Sequence, residues 1–224
     1  MKAPHVSEAD LKRIEEAVAR AEKKTSGEIA TALIEESSDY ALQEVFFALA
    51  GGALFYFIGL LCYGPLSLLV ERFFWDFKPI YTSLALGAGF ILVTGLLYLV
   101  ANIPGFDRFI VPKAIMAREV NRRAALHFMD AGLFDTRDRT GILIFVSRRE
   151  QRVEIMADKG VNSVVDQRGW DEILNKLIEG IKADRFTDSL IEAVESCGNL
   201  LADHFPIKDD DTNELSDGLT ILED

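Results

Sequence analysis

Two stretches in the middle of this chain carry no charged residue: Val45 to Val70 (VFFALAGGALFYFIGLLCYGPLSLLV) and Ile80 to Ile103 (IYTSLALGAGFILVTGLLYLVANI). A helix that crosses a bilayer core needs about 20 apolar residues. A water-soluble helix of that length shows a polar stripe, and neither run has one. They are read as a transmembrane hairpin rather than as two buried helices of a soluble bundle. Gly51, Gly52, Gly59, Gly87, Gly89 and Gly95 suit close helix approach in lipid. The connector Glu71 to Pro79 is too short to be a domain, and Phe73, Phe74, Trp75 and Tyr81 stand where an aromatic belt belongs. Lys12, Arg13, Arg20, Lys23 and Lys24 precede the hairpin and Arg108, Lys113, Arg118, Arg122 and Arg123 follow it, against only Arg72 and Lys78 between the runs. That excess outside the hairpin puts both termini in the cytoplasm.

The sequence therefore divides into 1–44, the first part of a soluble domain; 45–103, the hairpin; 104–206, the rest of that domain; and 207–224, a tail. The soluble parts amount to roughly 130 residues, enough to enclose a core. The net charge is −12, and the tail, with seven acidic residues and one lysine, supplies half of it. So polar a tail is expected to be disordered. No basic stripe interleaves with aromatics, which argues against nucleic acid. Cys62 and Cys197 form no close pair, so neither a disulfide nor a zinc site is implied. The first ten residues lack the apolar core of a signal peptide.

The soluble segments alternate helix and strand. Ser7 to Lys24 has a capping signal, Ser7 with Asp10, and an apolar stripe at Leu11, Ile14, Val18 and Ala21. Glu28 to Ile34 reads as a strand covered on both faces. Pro104-Gly105 breaks the second apolar run. Lys113 to Ala131 is helical, with Gly132 as its stop. Gly141 to Ser147 and Arg152 to Ala157 are strands joined by a four-residue turn, an antiparallel hairpin. Asp158 to Gly169 is a loop, and Gln167 to Ala183 and Asp188 to His204 are helices. The first strand, a crossover helix and the second strand make a right-handed parallel unit, with the apolar hairpin inserted between the first strand and the crossover helix.

Three pieces, TSGEIATALIE, RTGILIFVSRREQRVEIMADKGV, and Arg185-Phe186 followed by a helix closing in His204-Phe205-Pro206, resemble the TPM domain family. The resemblance covers about 7–36 and 112–206, and points to a bacterial, membrane-anchored branch of the family. It implies an α/β/α sandwich, a phosphatase domain, acidic residues at the sheet edge linked to metal binding, and the bacterial inner membrane as location. The family's acidic positions match Asp138, Asp158 in Asp158-Lys159-Gly160, and Asp166; where the family often has Asn-Gly, this chain has Thr140-Gly141.

If Ser147 faces Arg152, Gly141 faces Asp158, and Asp138, Asp158 and the start of the first strand at Glu28 share one end of the sheet. Asp166 folds back toward them. Such carboxylates suit Ca²⁺ or Mg²⁺, and a bound cation could activate water for phosphoester hydrolysis. The simpler reading is a solvated loop with Asp166 as a helix cap. At the opposite end, Arg148, Arg149 and Arg152 on the turn, with Arg118 and Arg122 on the crossover helix, form a basic surface for anionic lipid. No cysteine-phosphatase loop, D-x-D-x-T/V run, P-loop or G-x-S-x-G elbow occurs, and His5, His127 and His204 are scattered. Two functions remain: a membrane-anchored interaction or regulatory module that recognises a protein partner, and a metal-dependent phosphatase acting on phosphomonoesters through Asp138 and Asp158.

Overall fold

A computed structural model describes residues 6–103, 105–208 and 212–223. Pro104, His5 and the acids Asp209, Asp210 and Asp211 lie outside these residues. The chain divides into two compact units, Met1–Ser38 with Met116–Asp224, and Asp39–Ile115.

The first unit opens with α1 (Glu8–Glu22). Ser7 caps it as expected: the Asp10 amide donates to Ser7 Oγ and the Ser7 amide to Asp10 Oδ2, both at 3.2 Å. Strand β1 (Ile29–Ile34) is buried throughout. Its register alternates, as a pleated strand must: Ile29 and Leu33 enter one apolar cluster, and Ala30, Ala32 and Ile34 enter another.

The second unit comes next in the chain. Helix α2 (Ala41–Leu61) is followed by α3 (Tyr63–Glu71), α4 (Pro79–Ala101) and the single turn α5 (Asp107–Ile110). The first apolar run is thus two helices and not one. The break at Cys62 has a cause: Pro65 has no N–H to give, and its ring would clash with the carbonyl four residues back. Helices α2 and α4 are long and apolar enough to cross a membrane, by length and composition. They pack antiparallel through small residues. A Cβ at Gly51 would overlap Leu97, one at Gly52 Thr94, and one at Gly59 Leu86, whereas Gly87 and Gly95 face open space. Only part of the glycine set serves helix contact.

Back in the first unit, α6 (Lys113–Asp130) buries Met116, Val120 and Ala124. Gly132, at φ 76°, stops the chain in the left-handed region that glycine enters freely. Strands β2 (Ile142–Ser147) and β3 (Arg152–Ala157) pair antiparallel from Ile142↔Ala157 to Ser147↔Arg152, and β2 lies parallel to β1 from Ile29↔Ile142 to Ile34↔Ser147. The short α7 (Lys159–Asn162), then α8 (Gln167–Lys182) and α9 (Phe186–His204), complete the helices.

One difference from the sequence reading matters most. The tail is not wholly without structure: Leu219–Leu222 forms β4, parallel to β1, and the sheet order is β3-β2-β1-β4. Acidity averaged over the tail hides a short run, LTIL, with three apolar residues, whose Leu219 reaches the core beside α1 and α9. Helices α1, α8 and α9 cover one sheet face and α6 the other. On the α6 face, Ala32 and Phe145 are register partners, so the small alanine leaves room for the ring. His127 packs its ring 6.5 Å from that of Phe145, and burial holds its pKa down.

Candidate functional site

The loops at the N-terminal ends of β1 and β2 and the C-terminal end of β3 converge at one end of the sheet. The Ile142 amide donates to the Glu28 carbonyl at 2.8 Å and the Asp158 amide to the Gly141 carbonyl at 2.9 Å. Asp138, Asp158 and Glu28 therefore do share an end, and each carboxylate is engaged by partners of its own. Asp158 is buried, caps α7 by accepting the Lys159 amide at 2.6 Å, and has Arg139 Nη1 at 3.6 Å from Oδ2. Asp138 pairs with Lys208 Nζ at 2.5 Å. Glu28 is buried and accepts the Glu214 amide at 3.1 Å. Asp166 stands at the N-cap of α8, yet its side chain makes no capping bond and pairs with Arg168 at 3.2 Å in solvent. A hard divalent cation wants six or more oxygens around one point. Among the described residues no three of His, Cys, Asp and Glu are grouped so as to hold a metal ion.

A second acidic residue group at this end escapes the sequence reading. Glu22 closes α1 and receives the Ile29 amide at 2.8 Å. With Glu28 and Asp217 it lines a cleft of about 250 Å³. Burial, then the nearby charges of Glu28 and Asp217, push the Glu22 carboxyl up from 4.5 to about 8, against the lowering effect of the Ile29 amide. The sequence does hold a hint: an acid in the last turn of a helix opposes the macrodipole.

The opposite end of the sheet is less basic than its arginines suggest. Arg148 meets Glu35 at 2.6 Å, Arg149 pairs with Glu36, and Arg122 meets Glu119 at 2.8 Å with Arg118 at 3.3 Å from the same carboxylate. Ser147 is more than a turn residue here. Ser37 Oγ donates to Ser147 Oγ at 2.9 Å, Ser147 Oγ donates to Glu150, and the Ser37 amide donates to Glu150 Oε1 at 2.9 Å. All three residues are buried. Glu150→Ala strands the Ser37 amide, so a stability loss of about 2 kcal/mol is expected in thermal melting. Glu150→Gln, which keeps an acceptor, loses less than half of that.

One cavity of this unit lies at the β3 edge of the sheet. Strand β3 is a terminal strand. Because Asp158 bonds to β2, the antiparallel alternation turns the amides and carbonyls of Val153 and Ile155 outward. Beside them a groove of about 450 Å³ runs between α6, β3 and α8, lined by Phe128, Met129, Ile155, Met156, Gln167 and Trp170. Met129 is 50% exposed, although it forms part of an apolar wall. The carbonyl of Ala157, at the end of the strand, is already taken by Asn162 Nδ2 at 2.5 Å. Glu154 on the same strand is half-buried, which raises its pKa.

Comparison with known proteins bears on the fold. Residues 109–200 match the family model described as the TPM domain. The NMR structure of BA42 protein from the psychrophilic bacterium Bizionia argentinensis is similar, with a TM-score of 0.58 and 20% sequence identity, covering 99% of this chain and 99% of that chain. At that identity the likeness speaks for the fold alone. No curated protein matches the sequence.

Proposed function

We propose that this chain is a membrane-anchored interaction module of the bacterial inner membrane. In this reading α2 and α4 span the bilayer, both termini are cytoplasmic, and a TPM-like α/β/α sandwich presents its β3 edge to a protein partner. The observation that carries the proposal is the groove beside β3: an apolar wall and outward backbone groups on one open edge, where natural sheets ordinarily place a block. An extended segment added there gains main-chain hydrogen bonds, and the pocket at Phe128, Met129 and Trp170 supplies side-chain selectivity. A photo-crosslinking amino acid at Met129 is expected to give a discrete adduct in native membranes, and the same group at exposed Lys182 of α8 none. Adducts at neither position, or equally at both, would remove this reading.

The competing function is metal-dependent hydrolysis of phosphomonoesters. It requires Asp138 and Asp158 to leave Lys208 and Arg139 for a common cation. Full-length protein, titrated with Mg²⁺ or Ca²⁺, is expected to hydrolyse a generic phosphomonoester no faster than its Asp138→Ala, Asp158→Ala double variant, and to show the same melting response. Metal-dependent turnover that the double variant loses would establish the enzyme and displace the module.

A further inference from the structure

Residues Asn213 to Glu223 return to the α/β unit as a lightly held strap. Of the four β4 residues only Leu219 is buried, and Ile221 is 58% exposed. Leu215 and Leu222 pack at the margin of the second apolar cluster. Its polar contacts include the backbone pairing with β1 from Thr31↔Leu219 to Ile34↔Leu222, the Glu214 amide to Glu28, the Arg137 amide to Glu214 at 3.2 Å, and Arg123 to the Glu223 carbonyl at 2.9 Å. What lies beneath is acidic. Asp217 and Glu22 both line the cleft that Glu28 closes, and Asp217 Oδ1 accepts Asn213 Nδ2 at 2.6 Å. Like-charged carboxylates in one cleft cannot both stay ionised without a cost. The cations at hand are Lys23, on the cleft wall, and Lys208, engaged by Asp138. Glu22 Oε1 already accepts the Ile29 amide, while Oε2 is buried and receives no hydrogen bond. A hydrogen carried on Oε2 and donated to Asp217 satisfies both carboxyl groups at once.

We propose that the C-terminal segment is a releasable strand, latched onto the β1 edge by one proton shared between Glu22 and Asp217. Release removes the Asp217 charge and admits water to the cleft, so Glu22 reverts toward ordinary acidity. The docked state thus binds the proton more tightly than the released one. By linkage, docking takes up a proton: it is strongest at and below the ordinary carboxyl range that Glu22 regains on release, weakens as pH rises from there to the docked pKa of about 8, and levels off above it. Release bares the backbone groups of β1 from Thr31 to Ile34, a second open edge on the sheet.

Hydrogen exchange on the full-length protein in nanodiscs, at about pH 6.5 and about pH 9 and corrected for intrinsic rates, tests the latch. Segments Leu219–Leu222 and Ile29–Ile34 should lose about thirtyfold of their protection at the higher pH, the loss accruing between about pH 6.5 and the docked pKa of about 8, while β2 keeps its own. In Glu22→Gln an amide donates in place of the proton and does not titrate, so protection at the two pH values should agree, whereas Asp217→Asn leaves Glu22 buried beside Glu28 and should keep only part of the pH dependence. Wild-type protection that is the same at both pH values, or variants as pH-sensitive as the wild type, would overturn the proposal.

Discussion

Replacing Phe145 with alanine is expected to remove about 3–5 kcal/mol from the stability of the α/β unit. Phe145 is 0% exposed and is among the largest fully buried side chains. It sits on β2 between α6 and the small residues Ala30 and Ala32 of β1. Those alanines cannot swell to fill the gap, and both are held in register by β2, Ala32 by β4 as well. A cavity there keeps most of its volume. Domains of this size have about 5–15 kcal/mol in total, so the loss is a large share. Trp170 belongs to the α/β unit and Trp75 to the connector of the hairpin, so Trp170 fluorescence in a Trp75→Phe background reports the unit's melting. A fall in Tm of more than about 10 °C is expected. A fall of less than about 2 °C would mean that the ring is not the centre of that layer.

Leu92→Arg is the second large effect, and its sign separates two accounts of the hairpin. Leu92 lies near the middle of α4 and is 68% exposed, as are neighbours such as Ile91 on the same helix. In a bilayer, an arginine at the centre of a span costs about 2.5–3.5 kcal/mol, and the fraction resisting alkaline extraction should fall severalfold. In water, the same change would break up an exposed apolar patch and improve solubility. An unchanged or larger soluble yield with normal folding would contradict the membrane reading. Trp75→Arg, on the exposed connector, should leave extraction unaltered and serves as the matched control.

Most of the sheet could be read from residues because its signals are local. Five apolar residues in a row, Ile142 to Val146, mark β2, and the four-residue turn fixes its register with β3 to the residue. The Ser7–Asp10 capping box marks the start of α1. What escaped has a common physical origin: it depends on contacts between segments far apart in sequence. LTIL becomes a strand only because β1 offers it an edge, and Glu22 acquires its high pKa only when folding buries it and sets Glu28 and Asp217 nearby. Ser147 and Glu150 become structural partners because Ser37, from the far side of β1, needs an acceptor. The acidic rim shows the converse. Strand directions placed Asp138, Asp158 and Glu28 at one end correctly, but only side-chain geometry reveals that Lys208, Arg139 and the Glu214 amide engage them separately.

Site-specific labelling from either side of the membrane tests the central claim most directly. Cys197 should be silent, since it is fully buried and burial pushes its thiol up to about 12. Cys62→Ser therefore gives a clean background into which Trp75→Cys or Lys182→Cys is placed, the first on the hairpin connector and the second on α8. In intact bacterial cells an impermeant maleimide should label Trp75→Cys and spare Lys182→Cys until the inner membrane is opened. Equal labelling of both before opening, or of neither until lysis, would contradict a bilayer-spanning hairpin with the α/β unit on the cytoplasmic side.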